Sequence, residues 1–285
     1  MTTPADLISV AQLKTLLDSS HCRLVDCRFD LFDAAKGRRD YLSGHLPGAV
    51  HADMDKDLAS EITAESGRHP LPDVEVFRST LEAWGIGDEQ HVVVYDYGNG
   101  SLAVRLWWML SIWLGHARVS VLNGGIAAWR GAGEPLETAE PTIPCAEFTA
   151  TAEPTVIATT EDIVAAIAGG TGLTLVDARD PLRFRGEKEP VDTVAGRIPG
   201  AVNLPLSRNL GADGLWLAAD ELAAVWAEFP DEMNAASTIV MCGSGVTACH
   251  LILSARLAGR AIPRLYVGSW SEWIRDEKRP VATGD

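Results

Sequence analysis

The sequence is poor in cysteine, and its five cysteines include no CxxC pair. An odd and sparse count fits neither a disulfide framework nor a zinc ribbon. The seven histidines show no ligand spacing with cysteines or carboxylates, so the sequence predicts no metal site and no cofactor. We therefore expect free thiols in a reducing compartment, the cytoplasm.

Positive charge and long apolar runs are also scarce. Lys and Arg total 24 against 39 Asp and Glu, giving a formal net charge of −15, which opposes binding to nucleic acid or to anionic lipid. The longest nearly apolar run, Leu106 to Leu114, is too short to span a bilayer. The N-terminal residues lack a basic leader followed by an apolar stretch. The sequence thus predicts no nucleic-acid partner, no membrane association and no export.

What the sequence does contain is an internal repeat. Four landmarks recur in the same order at nearly constant separation: Leu24–Arg28 with Leu175–Arg179, Gly44–Val50 with Gly196–Val202, His91–Asp96 with Thr238–Cys242, and Gly124–Trp129 with Gly268–Trp273. A length of 285 residues also favours two domains, at about 150 residues each. We therefore interpret the chain as a tandem duplication. The predicted domains are 1–135 and 156–285, joined by a proline-containing linker at 136–155.

Short apolar runs alternate with helical stretches in both halves. The predicted strands are 22–26, 92–95, 119–122, 173–177, 238–241 and 264–267. The predicted helices are 10–18, 74–84, 102–114, 160–168, 219–227 and 248–258. Such alternation is typical of an α/β fold in which helices cover both faces of a parallel sheet. Ligands bind these sheets beyond the carboxyl ends of the strands.

One predicted strand leads directly into a glycine-rich turn. Cys242 follows that strand, and Gly243 and Gly245 precede a helix that is expected to begin near Thr247. Glycine lets several N–H groups point into one concavity, and a helix N-terminus adds partial positive charge, so an anion at Cys242 is stabilised. We predict Cys242 to be a thiolate near neutral pH. The alternative, a core thiol, is preferred for the other cysteines in apolar runs: Cys22, Cys27 and Cys249.

Two chemistries use a cysteine in such a loop. A phosphatase or arsenate reductase needs an arginine that closes the loop around the oxyanion, but Ala248 stands at that position. In sulfur transfer, the thiolate attacks a donor sulfur and becomes a persulfide whose outer sulfur lies among the loop N–H groups. The first repeat has Asp96 at the equivalent place, and a carboxylate cannot carry sulfur. We therefore expect the first domain to be catalytically silent.

The repeat, the two GxxPGAV segments and the cysteine loop resemble tandem-domain rhodanese-type sulfurtransferases over almost the whole chain. The resemblance implies two rhodanese-like domains, each a parallel sheet flanked by helices. Within the family, the loop sequence CGSGVT resembles that of the mercaptopyruvate-using enzymes, whereas thiosulfate-using enzymes carry two basic residues after the cysteine. The loop residues that would bind the donor are Gly243, Gly245, Val246 and Thr247.

The resemblance also implies the partners of the thiolate. A relay of Ser244, His69 and Asp55 would move a proton at the reacting group, and Asp53 is a rival for the role of Asp55. From the residues alone, His69 is interpreted as a turn-capping histidine and Asp55 as a solvated turn carboxylate.

Arg183 matches the arginine with which the family binds the donor's anionic group. A second arginine, which mercaptopyruvate-using enzymes place after a Glu-x-Glu-Pro element, is replaced here by Val191. Arg179 is expected to form a structural ion pair with Asp177 or Asp180.

The leading hypothesis is an enzyme that moves sulfane sulfur from 3-mercaptopyruvate through a Cys242 persulfide to an acceptor. The acceptor would be a thiol, such as that of thioredoxin, or cyanide. The first alternative is thiosulfate as the small anionic donor, which Val191 favours. The second alternative is a non-enzymatic sulfane-sulfur carrier or interaction module.

Overall fold

The computed structural model describes residues 5–17, 21–169, 172–229 and 237–284. The chain forms two compact units. Unit 1 comprises Met1–Ser60, Leu71–Glu153 and Ala212–Trp216, and unit 2 comprises Glu61–Pro70, Pro154–Gly211 and Leu217–Asp285. Two short segments, Glu61–Pro70 and Ala212–Trp216, therefore belong to the unit of the opposite sequence half.

Hydrogen bonds explain why Glu61–Pro70 belongs to unit 2. The N–H of Arg68 donates to Ser271 Oγ at 3.0 Å, and Nε of Arg275 donates to the carbonyl of Ser66 at 3.1 Å. These bonds tie the segment to the last helix of unit 2 and to the residues that follow it. A piece of the first sequence half thereby becomes part of the unit that contains the cysteine loop.

Unit 1 contains a parallel five-stranded sheet in the order β1-β5-β4-β2-β3. Its strands are β1 (Leu7–Ile8), β2 (Cys22–Asp26), β3 (Val50–His51), β4 (His91–Tyr95) and β5 (Val119–Leu122). Its helices are α1 (Val10–Leu17), α2 (Lys36–Ser43), α3 (Val74–Ala83), α4 (Ala103–Trp108) and α5 (Gly125–Gly131). A π-helical turn at Met109–Trp113 continues α4. Consecutive residues of β4 are buried, as expected for a strand covered on both faces.

Unit 2 repeats this topology, with the order β6-β10-β9-β7-β8. Its strands are β6 (Ile157–Ala158), β7 (Thr174–Asp177), β8 (Val202–Asn203), β9 (Thr238–Met241) and β10 (Arg264–Tyr266). Its helices are α6 (Thr160–Gly169), α7 (Pro181–Phe184), α8 (Ala219–Trp226), α9 (Ala248–Leu257) and α10 (Ser269–Trp273). Single 3₁₀ turns lie at Pro154–Val156 and Leu206–Asn209. The equal strand orders confirm the duplication and the α/β fold class.

The predicted strands and helices are all present, and their observed ends differ from the predicted ends by about one residue. The long helix predicted at 102–114 is instead α4 followed by the π-helical turn. The predicted last residue of the first helix, Asp18, lies outside the described residues. Among the described residues, none of the helices is both long and apolar enough to cross a membrane.

A buried ion pair joins the central part of each sheet to the following turn. In unit 2, Arg179 binds Asp177 at 2.8 Å and donates to the carbonyl of the first glycine in the GxxPGAV segment at 2.7 Å. In unit 1, Arg28 binds Asp26 in the same way, at 2.6 Å. The expected structural pair of Arg179 is thus confirmed with Asp177, while Asp180 caps the N-terminus of α7.

The predicted linker packs against unit 1. The N–H of Ala146 donates to the carbonyl of Glu82 at 3.1 Å, and Thr149 Oγ1 donates to Asp88 at 2.6 Å. Phe148, between these two contacts, is buried. These contacts explain why unit 1 extends to Glu153 rather than ending where its last helix ends.

Candidate active site

Cys242 lies at the carboxyl end of β9, inside unit 2. All four residues of β9 are buried, and Cys242 is 1% exposed. The chain then turns through 243–247 and enters α9 at Ala248, with Thr247 as the N-cap residue. The strand, glycine turn and helix that the sequence predicted are therefore present in that order, and Cys242 and the N-terminus of α9 lie at opposite ends of one short loop.

Gly245 allows this loop to pass close to the chain that follows β10. Its φ is +74°, and a Cβ atom there would lie 2.4 Å from the carbonyl oxygen of Val267. Any side chain would therefore displace the loop as well as strain the backbone. Gly243 is different, because the nearest atom to its Cβ position is Nη2 of Arg68, the end of a flexible side chain, at 3.0 Å.

Ser269 fixes the backbone of Cys242. Its Oγ accepts a hydrogen bond from the Cys242 N–H at 3.1 Å and donates one to the carbonyl of Tyr266 at 2.8 Å. Ser269 has a φ of +53°, and among the described residues it is the one non-glycine residue with a positive φ. The equivalent residue of unit 1 is Gly125, with a φ of +51°. Unit 2 thus has a serine with a strained backbone where unit 1 has glycine. The hydroxyl of that serine binds the backbone N–H of Cys242.

His69 and Ser244 are in contact within unit 2. Nδ1 of His69 lies 2.8 Å from Oγ of Ser244, and both residues are buried. Ser244 stands two residues after Cys242, so the imidazole of His69 is hydrogen-bonded to the cysteine loop itself. The structure therefore brings two members of the expected relay together, and His69 does not have the isolated position of a turn-capping histidine.

Asp55 and Asp53 lie in unit 1, on the turn that follows β3. Asp55 is exposed, and its N–H donates to Oδ1 of Asp53 at 3.0 Å. Asp53 also forms an ion pair with Lys56 at 2.9 Å, which holds its carboxylate within its own turn. The role of Asp55 as the third relay residue stays a prediction.

Arg183, on α7, is held by two buried carboxylates. Its Nε and Nη2 donate to Glu189 at 3.1 and 2.8 Å, and Nη2 also donates to Asp192 at 3.0 Å. Burial alone would raise the pKa of Glu189, but hydrogen bonds from Arg183 and from the N–H groups of Asp192 and Val191 lower it. The guanidinium of Arg183 is thereby oriented beside the cysteine loop, where Nη2 lies 3.6 Å from the Cβ position of Gly243.

Arg68 is a charged residue near the cysteine loop that the sequence did not predict. Its Nη1 forms an ion pair with Asp192, and its Nη2 approaches Gly243. No local pattern marks Arg68, because its contacts are with residues far along the chain. Its position next to His69 is the one sequence signal that could have drawn attention to it.

In the equivalent loop of unit 1, backbone N–H groups bind the carboxylate of Asp96. Oδ1 accepts the N–H groups of Gly98 and Gly100 at 2.9 and 3.1 Å, and Oδ2 accepts those of Leu102 and Ala103 at 2.9 and 3.3 Å. Four backbone donors thus converge on one side chain directly after a central strand. The loop of unit 1 is an anion cradle that Asp96 itself occupies.

The remaining cysteines have other environments. Cys27 and Cys249 are buried, Cys22 is partly buried and Cys145 is exposed. Burial raises the pKa of Cys22 to about 11 and holds that of Cys27 well above its ordinary value. Among the residues that the structure describes, no cluster of His, Cys, Asp and Glu suits a metal ion. Cys242 is therefore the thiol with the most distinctive setting.

Comparison with known proteins agrees with this architecture. The model of the rhodanese-like domain matches the chain twice, at residues 9–132 and 159–276. The chain is 42% identical over 283 residues to "Probable 3-mercaptopyruvate sulfurtransferase" of Pseudomonas aeruginosa, across 99% of both chains. It is 38% identical over 279 residues to "Putative thiosulfate sulfurtransferase SseB" of Mycobacterium tuberculosis, across 98% of this chain and 97% of that relative.

Comparison with a solved structure supports the same fold. The crystal structure of SseA from Escherichia coli, described as a 3-mercaptopyruvate sulfotransferase, matches with a TM-score of 0.79 and 30% identity. The match covers 94% of this chain and all of that chain. Two equivalent α/β units, with a cysteine loop in one and an aspartate in the other, define a tandem-domain protein of one repeated fold. The chain belongs to the rhodanese-like family, and relatives this similar over its full length make it a sulfurtransferase.

Proposed function

We propose that the chain transfers sulfane sulfur from 3-mercaptopyruvate, through a persulfide on Cys242, to a thiol acceptor or to cyanide. The observation that carries this proposal is the cysteine loop. Within it, Oγ of Ser244, two residues after Cys242, is hydrogen-bonded to Nδ1 of His69 at 2.8 Å. Relatives whose names contain mercaptopyruvate support the choice of donor.

In the first half-reaction, the Cys242 thiolate attacks the sulfur of the donor. A sulfur–sulfur bond forms, the donor's carbon–sulfur bond breaks, and its electron pair passes to carbon as the enolate of pyruvate. The enolate then takes up one proton. The Ser244 hydroxyl, bonded to His69, is suited to deliver that proton or to stabilise the enolate, and Asp55 would fix the imidazole tautomer.

The cradle around Asp96 supports a persulfide in the equivalent loop. The carboxylate oxygens of Asp96 stand two bonds beyond Cβ, and the outer sulfur of a persulfide on Cys242 would stand at the same number of bonds. Four backbone N–H groups bind the Asp96 oxygens. The loop that contains Gly243, Gly245, Val246 and Thr247 would present its own N–H groups to the outer sulfur, as would the N-terminus of α9.

In the second half-reaction, an acceptor thiolate attacks the outer sulfur and the Cys242 thiolate is released. With a dithiol such as thioredoxin, the second thiol then forms the acceptor's disulfide and hydrogen sulfide leaves. Cyanide would instead leave as thiocyanate. Reduced dithiols of this kind are available in the cytoplasm, which we propose as the compartment.

Thiosulfate is the second candidate donor. Val191 replaces an arginine that mercaptopyruvate-using enzymes have, and a relative with 38% identity is named for thiosulfate. Against it, sulfite is the leaving group and benefits from nearby positive charge, by about 4 kcal/mol for a pair of charges 4 Å apart at an effective dielectric of 20. Gly243 and Ser244 carry no such charge where thiosulfate-using enzymes have basic residues, although the guanidinium groups of Arg68 and Arg183 approach Gly243 from other segments.

The test is to measure sulfur release from both donors side by side, with wild type and with Ser244→Ala. We expect a higher kcat/KM for 3-mercaptopyruvate, and we expect Ser244→Ala to lower it more for this donor than for thiosulfate. A wild-type preference for thiosulfate, with equal effects of Ser244→Ala on both, would favour the second candidate. Loading of sulfur without turnover of either donor would favour a non-enzymatic carrier.

A further inference from the structure

Two guanidinium groups flank Gly243, the residue that follows Cys242. The Cβ position of Gly243 lies 3.0 Å from Nη2 of Arg68 and 3.6 and 3.7 Å from Nη2 and Nη1 of Arg183. The two arginine side chains are 20% and 19% exposed, so each is largely enclosed by protein and still open to a small solute. Two cations therefore lie beside the backbone of the residue next to the reactive sulfur.

One carboxylate sets the spacing of these cations. Asp192 accepts from Nη1 of Arg68 through Oδ1 and from Nη2 of Arg183 through Oδ2, at 3.0 Å for the latter. Glu189 binds Arg183 from a second side, with Nη2 to Oε1 at 2.8 Å. Both carboxylates are almost fully buried, with side chains 4% exposed. These ion pairs fix the orientation of both guanidinium groups.

Parts of both guanidinium groups are left over from these ion pairs. Within the described part of the chain, Nη2 of Arg68 and Nη1 of Arg183 take no part in them. Nε of Arg68 is buried and also has no hydrogen-bond partner there. Nη2 of Arg68 and Nη1 of Arg183 lie 3.0 and 3.7 Å from the Cβ position of Gly243. A carboxylate has two oxygens and about four lone-pair sites, so it can accept from two guanidinium groups together.

We propose that Arg68 is a second donor-binding arginine, which together with Arg183 binds the carboxylate of a 2-oxo acid donor. Val191 stands where mercaptopyruvate-using enzymes have a second arginine. In this chain, Arg68 would provide that positive charge from a different segment. Asp192 is a positioning residue that keeps the two guanidinium groups at one spacing. This inference depends on the proposed function for the identity of the donor, but the binding of an anionic reagent beside Cys242 can be measured without any donor.

The measurement compares two alkylating reagents that differ in charge. Iodoacetate carries a carboxylate and iodoacetamide is neutral, so the ratio of their rates at Cys242 reports the attraction of a carboxylate to this place. We expect Arg68→Gln and Arg183→Gln each to lower the ratio by about tenfold, since each removes charge-assisted hydrogen bonds. Arg208→Gln is the matched control, because Arg208 is an exposed arginine of unit 2 whose ion pair with Glu228 involves none of the residues around Gly243. Its ratio should equal that of wild type.

A donor assay provides the second arm. We expect Arg68→Gln to raise the KM for 3-mercaptopyruvate by about tenfold, because a clamp used in the ground and transition states alike acts mainly on KM. Should 3-mercaptopyruvate prove not to be a donor, the proposed function fails while the alkylation ratio still tests Arg68. An unchanged ratio in Arg68→Gln beside a lowered ratio in Arg183→Gln overturns the inference. An equal fall in Arg208→Gln also overturns it, because the effect would then be one of total charge.

A conservative variant guards against a folding defect. Arg68→Lys keeps the positive charge but loses the planar fork of N–H groups, so we expect a fall in the ratio of only about threefold. If Arg68→Gln does not fold, an unchanged ratio in folded Arg68→Lys overturns the inference, and a partial fall supports it. Folding is checked for each variant by circular dichroism.

Discussion

Asp96 and Cys242 occupy equivalent places, each directly after the central strand of its unit, β4 or β9. The carboxylate of Asp96 fills the loop of unit 1 with an anion that is part of the chain. In the loop of unit 2, the sulfur of Cys242 stands at the equivalent place, and we propose that this loop binds the outer sulfur of a Cys242 persulfide. A single residue thus separates a structural loop from one that we propose to be reactive.

The first prediction concerns the stability that Asp96 provides. Asp96→Ala removes the acceptor of four backbone N–H groups, which should lower the free energy of unfolding by about 2–3 kcal/mol. Urea denaturation measures this loss. Asp33→Ala is the control, because that carboxylate is exposed and its removal should change little. Sulfur transfer per folded molecule should persist in Asp96→Ala, and a loss of transfer without a loss of stability would contradict the assignment of Asp96 to structure.

The second prediction concerns Ser269, whose hydroxyl binds the N–H of Cys242. Ser269→Ala and Ser269→Gly both remove this bond, so both should lower kcat. Glycine adopts a φ of +53° without strain, so Ser269→Gly should be more stable than Ser269→Ala by about 1 kcal/mol. Steady-state kinetics and thermal unfolding of the two variants test this. Wild-type kcat in either variant would show that Ser269 does not position Cys242 for the reaction.

At the scale of elements, the cysteine loop is shaped by its approach to the end of β10. Gly245→Ala should destabilise the loop and abolish most of the activity, because its Cβ would meet the Val267 carbonyl oxygen at 2.4 Å. Gly259→Ala is a matched control, since Gly259 has a similar φ of +68° but no atom within 4 Å of its Cβ position. It should cost about 1 kcal/mol of stability and leave kcat unchanged. Equal kinetic effects of the two substitutions would mean that backbone strain, and not the close approach, explains the loss at Gly245.

Elements with a strong apolar pattern could be predicted from the sequence. The buried runs of β2, β4, β5 and β9 are read directly from their residues. The edge strands β1, β3, β6 and β8 have two residues each, which is too short for any periodicity to show. The π-helical turn after α4 could not be foreseen either, because its residues are as apolar as those of the helix before it.

At the scale of the whole molecule, the duplication made the fold predictable, since equivalent segments must form equivalent strands. The site was predictable only in part. Cys242, Gly243 and Ser244 are adjacent in sequence, so their loop could be recognised from a short motif. Arg68 and Asp192 meet through the folding of distant segments, and no local pattern encodes that contact. That Glu61–Pro70 belongs to unit 2 could not be predicted from the sequence for the same reason.

The most direct test of the chemistry is to find where sulfur resides after the donor has reacted. The protein is incubated with 3-mercaptopyruvate without an acceptor, and its peptides are analysed by mass spectrometry under conditions that preserve persulfides. We expect one added sulfur on the peptide that contains Cys242, loss of that sulfur when a dithiol is added, and none in Cys242→Ser. Added sulfur on Cys249 or Cys145, or a Cys242→Ser variant that still turns over the donor, would contradict a Cys242 persulfide as the carrier.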